Sequence, residues 1–236
     1  MTIAAVITAA GSGTRLGADV PKALVPVHGR SLVEWAVAEA STVATDIVVT
    51  APRSHLEAFR AALPGVTVVA GGADRQSSVA AGLDALPAGA SIVLIHDAAR
   101  AFQPAAVMRA TVDAVRGGAD GAIPVVDVID TLVTAPGRDG EVGDPVDRAQ
   151  FRAVQTPQTF RVAAILDAHH RGKPGATDDA TLARELGYRV LAVPGHEDGF
   201  KVTRPADLSL AKDCATRRQA EHEIESGAAR LSREDS

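Results

Sequence analysis

The sequence predicts an α/β fold in which a mostly parallel sheet is covered by helices on both faces. Three observations carry that reading. Short apolar, β-branched runs alternate along the chain with longer helix-like stretches. The most apolar run, Ile92-Val93-Leu94-Ile95, has no polar face, as expected of a strand covered on both sides. Strands separated by helical crossovers also lie parallel within one sheet.

The expected strands are residues 3–8, 46–50, 66–70, 91–96, 121–125 and 188–193. The expected helices are 31–41, 53–63, 77–85, 104–117, 159–169, 179–186 and 205–215. The first strand stops at a glycine loop. In the first helix, Leu32 and Trp35 fall at helical spacing and belong to a core. His169-His170 reads as a solvated helix end rather than a metal site, since no further ligands are spaced nearby. Asp178 and Asp179 suit the N-terminal turn of the helix they precede, and Pro205 the first position of the last. Ligands of such sheets sit beyond the carboxyl ends of the strands.

One stretch breaks the alternation. Residues 126–150 carry Val128, Ile129, Leu132 and Val133, then the turn cluster Pro136-Gly137-Arg138-Asp139-Gly140, then Val142 and Val146. This reads as an extended arm or hairpin too poor in apolar groups for its own core. An isolated hairpin is marginal in water, so it is expected to pack on another surface, such as a second copy of the chain. A loose surface loop is the alternative. The expected organisation is one domain over residues 1–216, including the arm, and a polar, disordered tail over 217–236.

At 236 residues the chain can bury a sizeable core without a disulfide or metal staple. A net charge of −5 and 3% aromatic residues argue against general nucleic-acid binding. The single cysteine, Cys214, excludes a disulfide framework and fits a reducing compartment. The N-terminal apolar stretch is broken by Gly11 and Gly13, so neither a signal peptide nor a membrane span is expected there, and the location expected is the cytoplasm.

The loop after the first strand, Ala9-Ala10-Gly11-Ser12-Gly13-Thr14-Arg15-Leu16-Gly17, lets backbone N–H groups approach phosphates. It departs from the dinucleotide fingerprint, which wants glycine at Leu16 and an acid where Thr50 and Ala51 end the second strand. It also lacks the Lys-Ser/Thr pair of a P-loop. Arg15 within it and Lys22 after it add two cations that suit a triphosphate, and Pro21 stiffens the approach of Lys22. In His96-Asp97-Ala98-Ala99-Arg100, Asp97 ends the most apolar strand, where a carboxylate can hold Mg²⁺. A helix cap is the other reading. Arg100 can clamp a phosphate through its planar fork, while His96 reads as packed against the strand end. By spacing alone Lys201, Arg148 and Thr131 carry little weight.

The ordered set AAGSGTRLG, PKAL, GGADRQSSV, HDAAR, PVVDVIDT, VDR, QTPQ, TDDA and KVTRP resembles the 2-C-methyl-D-erythritol 4-phosphate cytidylyltransferases over roughly residues 3–211. The glycine loop is common to many nucleotidyltransferases; HDAAR with TPQ and KVTRP is far more specific. The resemblance implies a Rossmann-like three-layer αβα fold with a protruding β-arm, a homodimer joined through that arm, CTP as donor, methylerythritol phosphate as acceptor, and Mg²⁺ as cofactor. It implies that Arg15, Lys22 and Lys201 grip phosphates and stabilise the transition state. Ala9, Ala10, Gly11, Gly13, Gly72, Ser78 and Ala98 would form the nucleotide site, with Asp97 on the metal. Arg100, Thr131, Arg148, Thr156 and Thr177 would hold the acceptor, Thr131 and Arg148 coming from the partner's arm. Three positions depart from the family pattern: Thr8 replaces a common proline, Ala73 a frequent acid, and Val133 a frequent basic residue.

A phosphate monoester is largely dianionic at neutral pH, so it needs no general base as nucleophile. The difficulty is the approach of one anion to another. The expected chemistry is therefore alignment and charge neutralisation at the α-phosphorus. A cytidylyltransferase for another polyol phosphate, such as ribitol 5-phosphate, is the nearest alternative. A catalytically silent nucleotide-binding module is the alternative of another class.

Overall fold

A computed structural model of the chain describes residues 1–11 and 20–234, with side chains through Glu221 in the last helix. The elements that build the domain begin with β1 (Thr2–Thr8), β2 (Pro26–Val27), β3 (Arg30–Ser31), α1 (Leu32–Ser41), β4 (Asp46–Ala51), α2 (Leu56–Ala62), β5 (Thr67–Ala70) and α3 (Arg75–Asp84). They continue with β6 (Ala90–Asp97), α4 (Ala105–Arg116), β7 (Gly121–Asp127), β8 (Leu132–Val133), β9 (Pro145–Val146), β10 (Arg152–Val154) and β11 (Gln158–Arg161). Helices α5 (Val162–Arg171) and α6 (Asp179–Glu185), strand β12 (Val190–Pro194) and helix α7 (Asp207–Glu234) complete the chain.

The central sheet runs β5-β4-β1-β6-β11-β7, with β10 and β12 both pairing with β7. β1 is parallel to β4 and β6, β4 to β5, and β7 to β12. β10 and β11 run against their neighbours. Alternation along β1 shows why three layers form. Ala5 and Ile7 meet α1 and α4 through Val33, Ala36, Met108 and Val112 on one face. Val6 faces the other way, toward Val79 and Leu83 of α3 and the α5–α6 pair. A third cluster joins α7 to Trp35, whose indole N–H donates to Val27 O at 3.0 Å. No helix among the described residues is long and apolar enough to cross a membrane.

Two expectations are corrected. The helix expected at 159–169 starts only at Val162, and Gln158–Arg161 form β11, wedged between β6 and β7. Thr159 and Phe160 favour extended backbone. Phe160 is fully buried opposite Gly121, where a Cβ would run into its ring. The tail also differs: α7 continues to Glu234, over residues expected to be disordered. That segment is rich in Ala, Glu and Arg, which are good helix formers. Arg218 supports it by pairing with Glu221 one turn on and with Glu39 of α1.

Beyond the sheet, residues 128–151 carry the β8–β9 pair, with Leu132 opposite Val146 and Val133 opposite Pro145, and a 3₁₀ turn at Arg148–Gln150. Ile129 and Val142 are each 81% exposed there. Asp127 and Arg152, where the arm leaves and rejoins the sheet, are direct cross-strand partners.

Candidate active site at the carboxyl rim of the sheet

β1, β5 and β6 all end at one rim, and a cavity of about 430 Å³ opens there. It is lined by Ala9, Ala10 and Gly11 after β1, by Gly72 and Ser78 around the start of α3, and by Asp97 and Ala98 at the end of β6. Lys22 and Lys201 approach from two further segments. Every expected donor-site, metal and catalytic residue among the described ones thus reaches one cavity. Gly13 and Arg15 lie outside the described residues.

Asp97 is at the centre of the arrangement. Its Oδ2 accepts from Lys201 Nζ at 2.7 Å. Its Oδ1 accepts from Thr8 Oγ1 at 3.2 Å and Arg75 Nε at 3.5 Å. Burial alone would raise its pKa, but Lys201 and Arg75 outweigh that, so the carboxyl is held well below its usual range. Lys22 Nζ donates to Val202 O at 2.9 Å, one residue beyond Lys201. The backbone beneath Asp97 is held by a buried relay. Its N–H donates to Thr156 Oγ1 at 3.0 Å. His96 Nε2 faces the carbonyl of Arg100 at 3.2 Å, so that nitrogen carries the ring proton. Nδ1 is then an acceptor, and the Thr156 hydroxyl donates to it at 2.9 Å. Burial pushes the His96 pKa down to about 4, which keeps the ring neutral.

Ser78 shapes the loop below the cavity: its hydroxyl donates to Asp74 O at 2.7 Å and accepts from Gly72 N–H at 3.1 Å. Gly72 is required there because a Cβ would collide with Ser77.

The expected acceptor residues are placed differently; none lines the cavity. Thr156 is buried in the relay under Asp97. Arg100 gives its fork to two carbonyls, Gly199 at 2.7 Å and Val154 at 3.1 Å, bracing the segment before Lys201 against the end of β10. Thr131 and Arg148 are exposed on the arm, the latter bonded to Ile129 O, and Thr177 is exposed just before Asp178. Sequence reasoning missed Arg75, which lines the cavity and pairs with Asp179 at 2.6 Å. Its signal was a cation in GGADRQSS, but the partner that fixes it is 104 positions away.

The arrangement can bind a polyanion. Three cations, Lys22, Lys201 and Arg75, line the cavity with two carboxylates, Asp97 and Asp74, beside a glycine-bearing loop, and two of the cations, Lys201 and Arg75, pair with Asp97. No histidine or cysteine lies among the described lining residues, so the site is built for charge neutralisation rather than for a Ser-His or Cys-His nucleophile. No cluster of three or more His, Cys, Asp or Glu suited to a metal ion exists among the described residues.

Residues 3–217 match the family model of 2-C-methyl-D-erythritol 4-phosphate cytidylyltransferase. The chain is 45% identical over 233 residues to the protein of that name from Streptomyces avermitilis, covering 92% of each. It is 42% identical over 221 residues to the one from Saccharopolyspora erythraea, covering 90% of this chain and 98% of the relative. Among solved structures, the enzyme of the same name from Thermus thermophilus superposes with a TM-score of 0.77 at 37% identity, covering 92% of this chain and all of that one. The 4-diphosphocytidyl-2C-methyl-D-erythritol synthase from Anaerococcus prevotii gives 0.78 at 26% identity, covering 91% and 98%.

Proposed function

Because the chain belongs to the 2-C-methyl-D-erythritol 4-phosphate cytidylyltransferase family, we infer that it transfers CMP from CTP to 2-C-methyl-D-erythritol 4-phosphate. The products are 4-diphosphocytidyl-2-C-methyl-D-erythritol and pyrophosphate, a step of isoprenoid precursor synthesis by the non-mevalonate route. The observation that carries the reading is the convergence of Lys22, Lys201 and Asp97, from three distant segments, on the one cavity beside the glycine loop.

The acceptor phosphate is its own nucleophile, so the protein's work is to align it with the α-phosphorus and offset the charge that gathers there. Lys22 and Lys201 are placed to grip the triphosphate, exchanging Val202 O and Asp97 for phosphate oxygens. Arg15 joins them in this reading. The Asp97 carboxylate, at a cavity suited to phosphates, suits Mg²⁺, which keeps several waters and can take other ligands from phosphates. Asp97 would hold it, and when bound it supplies further neutralisation of phosphate charge. The exposure of Thr131 and Arg148 on the arm, away from the cavity wall, fits an acceptor site completed by a second chain. In that homodimer the exposed Ile129 and Val142 are covered, and Thr131 and Arg148 reach the partner's cavity. The reducing cytoplasm suits the single free cysteine.

The test is a pyrophosphate-release assay with CTP, UTP, GTP and ATP against methylerythritol phosphate and ribitol 5-phosphate. Release with CTP and methylerythritol phosphate alone is expected. A faster rate with ribitol phosphate moves the assignment to that acceptor, and no release with any pair returns the chain to a silent binding module.

A further inference from the structure

Lys201 and Arg75 hold Asp97 from opposite sides, but they are not equivalent partners. Lys201 has a flexible four-carbon stem, is 43% exposed along its side chain, and points an ammonium group into the phosphate cavity. Arg75 spans two carboxylates with its planar fork, Nε toward Asp97 and the terminal nitrogen on Asp179. Asp179 is 2% exposed and is itself held by His169 Nε2 at 3.0 Å. The residue next to Arg75 reinforces the link: the Gln76 side-chain oxygen accepts from Gly175 N–H at 3.1 Å. The first turn of α3 is thus tied to the start of α6.

We propose that Arg75 is a positioning residue, anchored on buried Asp179, that keeps the Asp97 carboxylate in place when Lys201 leaves it for substrate phosphates. The proposal rests on the family reaction stated above. Its physical basis is that a guanidinium fixed at one end by a buried carboxylate cannot follow an incoming anion, whereas a single ammonium can. Asp97 therefore keeps one permanent and one exchangeable cation, and Asp179 acts on the reaction although it does not line the cavity.

The experiment is a double-mutant cycle in steady-state kinetics with Arg75→Gln, Asp179→Asn and the pair, each checked for folding by circular dichroism. The wild-type rate with CTP and methylerythritol phosphate is measured first, and a wild type without turnover overturns the family reaction separately. Each single variant is expected to lower kcat about tenfold or more with KM for CTP within about threefold, and the pair to be about as slow as the slower single. Near-wild-type kcat in Asp179→Asn would overturn the anchoring, as would losses that multiply in the pair. If Arg75→Gln does not fold, Arg75→Lys takes its place. It keeps the charge but not the fork, and is expected to show the same kcat loss; wild-type kcat in it counts against the proposal.

Discussion

Lys22 and Lys201 sit within one residue of each other at the 201–202 segment, one bonded to a backbone carbonyl and the other to a carboxylate. Either ammonium can exchange its bond for one to a phosphate oxygen. Replacing Lys22 by alanine is expected to lower kcat about a hundredfold, roughly 3 kcal/mol of transition-state stabilisation. A change confined to KM would assign Lys22 to ground-state binding instead. Thr8, which departs from the family's proline, has a local use, since its hydroxyl reaches Asp97. Cys214 offers a separate check on packing at α7. Burial, with Asp198 beside it, pushes its thiol from 9.0 up to about 11. The rate of iodoacetamide labelling of the folded protein should therefore keep rising toward pH 11, while the urea-unfolded chain levels off near its ordinary value. A folded-state profile levelling near 9 would mean an open thiol. At this scale the cations beside the glycine loop were legible because they stand next to a recognisable turn. Arg75 was not, because its meaning depends on Asp97 and Asp179, which only the fold brings to it.

Among the elements, parallel strands and their crossover helices were readable from alternation of apolar runs. β11 was not, because its four residues, Gln158–Arg161, run directly into α5 with no turn between them. Its insertion parts β6 from β7 and brings Thr156 under Asp97. Helix caps are more local and can be tested singly. Asp178 caps α6 by accepting from Thr181 N–H at 2.8 Å and also accepts from Gln158 at 2.8 Å. Burial raises its pKa, but the bonds to Thr181 and Gln158 outweigh that and hold the carboxyl below 3.8. Its contribution is therefore present above that pH and fades as the solution is acidified through its folded value. Asp178→Ala should lose about 1–2 kcal/mol of stability by urea denaturation at pH 7. The gap to wild type should narrow below about pH 4. An unchanged gap in acid would show that the loss is packing rather than the ionised cap.

For the whole molecule, the residues implied for the donor and those implied for the acceptor separate in space. The former share one cavity, while Thr131 and Arg148 stand out on the arm. If each cavity is completed by the other chain, two defective proteins can repair one another. Lys22→Ala and Arg148→Ala homodimers, unfolded and refolded together in equal amounts, should recover about a quarter of wild-type activity, because half the dimers are mixed and each has one intact site. Refolding without recovery would mean that both residues serve the same chain's site. The expectation that Thr131 and Arg148 serve a second chain came only through resemblance, since no spacing rule assigns exposed arm residues to a pocket.

The pairing of Asp127 with Arg152 makes the arm a detachable part. A two-residue Asn-Gly turn could bridge those partners directly, as in any tight hairpin, replacing residues 128–151 without touching a strand of the main sheet. Such a shortened chain should sediment as a single copy, melt like the parent, still take up CTP, and transfer nothing. Loss of CTP uptake would show that the appendage also braces the pocket of its own chain.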